Sequence, residues 1–170
     1  MTSKISLLTF AICLLIFSGC KKANEYPVEP LINFKSLTTD KNSNGKDIAG
    51  RITFSFTDGD GDIGLADNDT FPPYNPSGQY YYNLVLKYFS KPNGVWIPNT
   101  AYHLNGRLPV ITPEGTNKAI RGDIEYFIYG LDQLPQCAVN LPVRFELYIY
   151  DRALHRSNTI TTEEILINTP

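Results

Sequence analysis

Apolar and polar side chains alternate strictly over residues 51–57, where Ile52, Phe54 and Phe56 point one way and Arg51, Thr53, Ser55 and Thr57 the other. A period of two is that of a half-buried strand, because successive side chains leave the backbone on opposite faces. Residues 143–150 repeat the pattern, with Val143, Phe145, Leu147 and Ile149 facing away from Arg144, Glu146, Tyr148 and Tyr150. Residues 80–89 are aromatic or apolar on both faces, as a central strand would be. The turn residues Lys91-Pro92-Asn93-Gly94 follow and lead into Val95-Trp96-Ile97. Further strands are expected at 31–37, 107–111, 119–129 and 159–167. Beyond residue 20 no window of about 12 residues, the length a helix needs, carries a helical period.

Seven or eight strands, punctuated by 12 Gly and 12 Pro, predict one all-β domain over 31–170. The expected architecture is an immunoglobulin-like or fibronectin-III-like β-sandwich. Trp96 has no cysteine pair around it, so the hallmark of true immunoglobulin domains is missing. The alternation assigns Phe54, Phe56, Phe145, Leu147 and Ile149 to the core, while Ile52 lies near a strand end.

The first 20 residues have a different character. Lys4 precedes an apolar run over 5–17, which closes on Ser18, Gly19 and Cys20. A charged start, a short apolar middle and small residues at the end are the parts of a secretory signal peptide. The run is too short for a permanent membrane span. Ending on Ser-Gly-Cys, it resembles the lipobox of bacterial lipoproteins, with Phe17 where that family usually has Leu. The resemblance implies cleavage before Cys20, acylation of its sulfur (palmitate among the chains) and a membrane partner reached through that lipid. Lys21 after the Cys, rather than Asp, fits delivery to the outer membrane of the cell envelope, with the side of that membrane left open. An ordinary secreted protein with an incidental Cys20 is the alternative. Residues 21–30, KKANEYPVEP, read as a polar, proline-containing tether.

Removing residues 1–19 takes Lys4 from the 15 basic residues and leaves all 17 acidic ones, so the remaining charge is near −3. Such a balance gives no electrostatic footprint for nucleic acid. Cys137 is then the one cysteine of the domain, and no intrachain disulfide is expected. It reads as a small buried hydrophobe.

Chemistry concentrates in Asp58-Gly59-Asp60-Gly61-Asp62-Ile63-Gly64. Five of the ten Asp lie over 58–69, with no Lys or Arg among them. Carboxylates on alternate residues, with glycines that let the backbone curl, can converge on one hard cation such as calcium, which takes six to eight oxygens. Asp58, Asp60 and Asp62 have the spacing of the first EF-hand ligands, but Ile63 stands where that loop needs Gly and no Glu closes it. The competing reading is a metal-free Asp-Gly turn, partly neutralised by Arg. In a sandwich, strands 51–57 and 143–150 run toward the same pole, so the loops that follow them become neighbours. Candidate calcium ligands are therefore Asp58, Asp60, Asp62, Gly64 and, from the second loop, Asp151. Arg152 or Arg156 would be the neutralising partner in the other reading, with a bidentate geometry.

The strings FSFTDGDGDIGL and ELYIYDRALHRSNTI resemble poorly characterised Bacteroidota-type envelope lipoproteins. Those pair a lipobox with a single immunoglobulin-like domain, and the resemblance implies a fold and an address rather than an activity. No catalytic signature is present: His103 and His155 lie in no hydrolase or zinc motif, and carboxylates packed in one heptapeptide are not spaced for glycoside hydrolysis. A non-catalytic binding module for a glycan or an envelope protein is expected, with Tyr74, Tyr81 and Arg152 as candidate contacts. The 11 tyrosines and the Phe71–Gly78 segment suit such recognition. A structural or accessory role in an envelope complex, with no ligand of its own, is the alternative.

Overall fold

The computed structural model describes residues 26–111, 118–134 and 141–168. Eight strands build it: β1 (Leu31–Lys41), β2 (Asp47–Asp58), β3 (Leu84–Ser90), β4 (Ile97–Asn99), β5 (Ile120–Tyr129), β6 (Pro142–Ile149), β7 (Ile160–Thr161) and β8 (Ile165–Leu166). They form two antiparallel sheets, one ordered β1-β2-β5 and the other β4-β3-β6-β7, with β8 also on β6. The chain is an all-β sandwich, as the alternating segments require. Each sheet has one apolar face, and stacking the two is how both become dry.

Alternation is visible as burial. In β2, Ile52, Phe54 and Phe56 are buried while Arg51, Thr53, Ser55 and Thr57 are half-exposed, and β6 repeats this with Val143, Phe145, Leu147 and Ile149. Ile52 is as fully enclosed as Phe54, because β2 starts at Asp47, so Ile52 stands well inside the strand. From the facing sheet Leu84, Leu86 and Tyr88 complete the centre, with the Tyr88 and Phe145 rings 5.8 Å apart.

Three expected segments differ. The strand expected at 80–89 begins only at Leu84. Tyr80, Tyr81 and Tyr82 lie in the turn before it, because the Asn83 side chain bonds both the N–H (2.6 Å) and the carbonyl (3.3 Å) of Leu108 and pins the chain there. Residues 107–111 form no strand; Leu65 N–H donates to Leu108 O (2.9 Å) and Ile111 N–H to Ile63 O (3.0 Å), so this piece lies against the acidic loop. Residues 159–167 divide into β7 and β8, because the Thr162 side chain turns to the backbone, accepting Phe145 N–H (3.0 Å) and donating to Glu163 O (2.9 Å). Cys20 and Cys137 lie outside the described residues.

Candidate metal centre

β2 ends at Asp58 and β6 at Ile149, and the loops that follow them meet at one pole. Arg152 N–H donates to Asp62 O (3.1 Å) and Ala153 N–H to Asp62 Oδ2 (3.0 Å), which ties the loops together through the backbone and side chain of Asp62. The adjacency follows from geometry alone, since β2 and β6 run toward the same end of the sandwich.

The result is a convergence of four carboxyl groups. Asp58, Asp60, Asp62 and Asp151 each offer an oxygen, and these oxygens all lie within 4.8 Å of one another. Oxygens on opposite sides of a calcium ion bound at 2.3–2.6 Å stand about 4.6–5.2 Å apart, so the four groups are close enough to reach one ion. Asp58 has no solvent exposure and Asp151 1 %. Asp58 Oδ2 accepts Asp62 N–H (3.0 Å), whereas Asp58 Oδ1 has no hydrogen-bond partner. Oδ1 of Asp60 and Oδ1 of Asp62 are likewise buried and unpartnered. Leaving a buried acceptor unmade is costly, more so when it is charged. Here three such oxygens belong to one cluster. A hard cation is one kind of partner able to satisfy all of them at once.

Burial and mutual repulsion set the protonation of the group. Asp58 is pushed up to about 7, first by burial and then by the neighbouring Asp60 carboxyl. Burial and the charge of Asp60 also raise Asp62, and burial raises Asp151 against the opposing bonds from His155. His155 donates its N–H to Asp151 Oδ1 (2.8 Å), and its Nδ1 lies 2.8 Å from Oδ2, which raises the imidazole.

A pH dependence follows. A carboxyl held above its ordinary 3.8 keeps a proton in the folded state that the unfolded chain gives up. Stability therefore falls as pH rises from about 4 to about 7. The raised His155 acts in the same sense, its contribution being complete below its ordinary 6.5 and lost above its folded value. Asp69 is lowered by Arg152, and Asp47, although buried, is lowered by Lys41 and Thr39; both stabilise above 3.8 and lose that contribution only in more acid solution. In calcium-free buffer the melting temperature is expected to be higher near pH 5 than near pH 7.5, by calorimetry. A rise across that interval would show that the four carboxyls do not repel.

The arginines go elsewhere than to the four-carboxylate group. Arg152 grips Asp69 with both terminal nitrogens, 2.6 and 2.8 Å from the two carboxylate oxygens, while its backbone N–H donates to Asp62 O. Arg156 reaches Thr159 Oγ1 (2.9 Å) and stacks over Tyr148 at 3.9 Å. Gly64 follows the last Asp of the run by two residues and has a steric reason to be glycine. Its φ is +108°, and a Cβ there would meet Pro109 O at 2.0 Å, so glycine is needed for close backbone approach.

The other candidate contacts join this pole through Asp69. The Tyr74 hydroxyl donates to Arg152 O, and the Arg152 guanidinium lies 5.9 Å from the Tyr74 ring centroid. Arg107 bonds the carbonyls of Asp69 (3.2 Å) and Tyr81 (2.7 Å) and stacks over the Tyr81 ring at 4.8 Å. Tyr74, Arg152, Asp69, Arg107 and Tyr81 thus form one chain of contacts, and Phe71 beside it is 77 % exposed.

Two surfaces were not legible in the sequence. A groove of about 490 Å³ runs beside β3, lined among others by Lys87, Phe89, Pro98, Tyr102 and His103. On the outer face of the larger sheet, Arg144 lies 4.5 Å from the Trp96 ring and 5.4 Å from that of Phe89, while Tyr148, Tyr150 and Tyr80 pack edge to face. Tyr148 and Tyr150 are two residues apart, whereas Tyr80 and Trp96 reach this face from distant parts of the sequence. Comparison with known proteins gave no matching family model, no matching curated protein and no matching solved structure.

Proposed function

We propose that this protein is a lipid-anchored protein of the cell envelope whose β-sandwich is a non-catalytic binding module, stabilised at one pole by calcium. The observation that carries the reading is the cluster of Asp58, Asp60, Asp62 and Asp151, with an unpartnered, buried Asp58 Oδ1 within it. Exported modules meet millimolar calcium, and sites of modest affinity serve there as structural staples. The lipobox resemblance of residues 1–20 supports the address, with the lipid on Cys20. The aromatic and cationic side chains on the outer face of the larger sheet favour a glycan ligand, since sugar rings stack on aromatic faces while their hydroxyls bond to Arg and Lys. The exposed Phe71, next to Tyr74 and Arg152, favours a protein partner at the acidic pole instead.

Calcium titration tests the reading. Binding should raise the melting temperature with the logarithm of calcium concentration above the dissociation constant. With an affinity of about 10⁻⁴ M, about 10 mM calcium contributes about 2.7 kcal/mol. For a domain of this size that is roughly 5–10 °C. The Asp60→Asn/Asp62→Asn double variant should lose the response and melt higher than wild type in calcium-free buffer, because repulsion is relieved. A wild-type melting point indifferent to calcium removes the metal from the reading. The pole would then rest on the Asp69–Arg152 pair and the hydrogen bonds between its two loops.

A further inference from the structure

The N-terminal segment is seated on both loops that carry the acidic cluster. Gly59 N–H donates to Pro27 O at 2.8 Å. A Cβ on Gly59 would stand 2.2 Å from Tyr26 O and 2.7 Å from Pro27 O, so the segment lies flush against the loop backbone between Asp58 and Asp60. Five residues further on, the second loop holds the same chain. Ile32 N–H donates to Asn158 Oδ1 (2.8 Å), and Asn158 Nδ2 donates back to Ile32 O (2.9 Å). Pro30 between the two anchor points is buried. The anchors thus belong to two different loops, one bearing Asp58, Asp60 and Asp62, the other continuing from Asp151.

We infer that a divalent cation in the four-carboxylate cluster also clamps residues 26–30, and the start of β1 that follows them, onto the pole, by fixing the loops that present Gly59 and Asn158. The inference rests on the cation reading of the cluster given above. Without the cation, the four carboxyls repel across the junction of the loops, and the spacing of the two anchors is free to change. With it, the loops share one centre, and the Gly59 backbone bond to Pro27 and the Asn158 side-chain bonds to Ile32 are made together. Cation occupancy then decides whether the stretch preceding β1 is docked or loose. Anything attached upstream of Tyr26 is accordingly held close to the acidic pole only in the occupied state.

Amide hydrogen exchange on the full chain, with about 10 mM calcium and without it, reads the clamp directly. The Gly59 and Ile32 amides are the reporters, under native conditions where exchange through local opening depends little on denaturant. Both should exchange at least about tenfold more slowly with calcium, alongside the rise in melting temperature. A raised melting temperature with an unchanged Ile32 rate overturns the clamp and leaves the cation site standing. No change in melting temperature overturns the site, and the clamp with it. Gly59→Ala, which pushes the segment away without touching a carboxylate, should keep the thermal response and lose the slowing at Ile32. Slowing that persists in that variant also counts against the clamp. Should the variant not fold, the two wild-type measurements decide between the outcomes.

Discussion

Phe54→Ala is expected to cost about 3–5 kcal/mol, the largest effect of any single truncation in the β2 core. Phe54 has no exposed surface and sits in the middle of β2, the central strand of the smaller sheet, opposite Phe34 on one side and Ile124 on the other. Both neighbouring strands and the facing sheet are already packed, so the cavity has little room to collapse. Set against a total stability of about 5–15 kcal/mol, the loss threatens folding outright. Urea unfolding of wild type and variant measures it. A midpoint close to that of wild type would mean that the neighbouring side chains refill the space.

Gly64→Ala is expected to be nearly as severe, on the order of 3 kcal/mol or more, for a different reason. Its φ of +108° is a conformation that a side chain strains, and the added Cβ would lie 2.0 Å from Pro109 O and 2.4 Å from its carbonyl carbon. The obstacle is backbone, so relief requires moving the 107–111 piece that receives Leu65 N–H and bonds back to Ile63 O. Gly45→Ala supplies the control. Its φ is +75°, yet nothing stands within 4 Å of the added Cβ, so only the conformational cost of about 1 kcal/mol should appear. Equal urea midpoints for the two variants would show that the contact at Gly64 is not limiting.

Phe54 and Asp58 were both readable from the sequence, because each depends on a local period. Alternation in 51–57 and 143–150 identified the buried faces. The same two strands, running toward one pole, placed Asp151 beside Asp58, Asp60 and Asp62. Arg152 shows where such reasoning stops. Sequence spacing offers it any carboxylate in the acidic stretch, whereas its grip on Asp69 depends on which way a loop side chain turns 83 residues away. Tyr80, Tyr81 and Tyr82 mislead in another way, since their strand propensity is real but Asn83 holds the chain in a turn by side-chain bonds to Leu108. The seating of Pro27 on Gly59 left no mark in residue type beyond a glycine already accounted for by the turn.

β2 carries Asp47 at one end and Asp58 at the other, and the two respond to acid in opposite ways. Eleven strand steps separate them by about 36 Å, several times the screening distance of about 8–10 Å in physiological salt. The two ends therefore titrate as strangers. Asp47, held by Thr39, Lys41 and the N–H of Asn168, gives its end a contribution that is lost in acid. Asp58 makes the other end the first to loosen as a cation-free solution approaches neutrality. Acid thus weighs on both tips of β2, through Asp47 at one and Asp69 beside the other, whereas the approach to neutrality in cation-free solution weighs on the Asp58 tip.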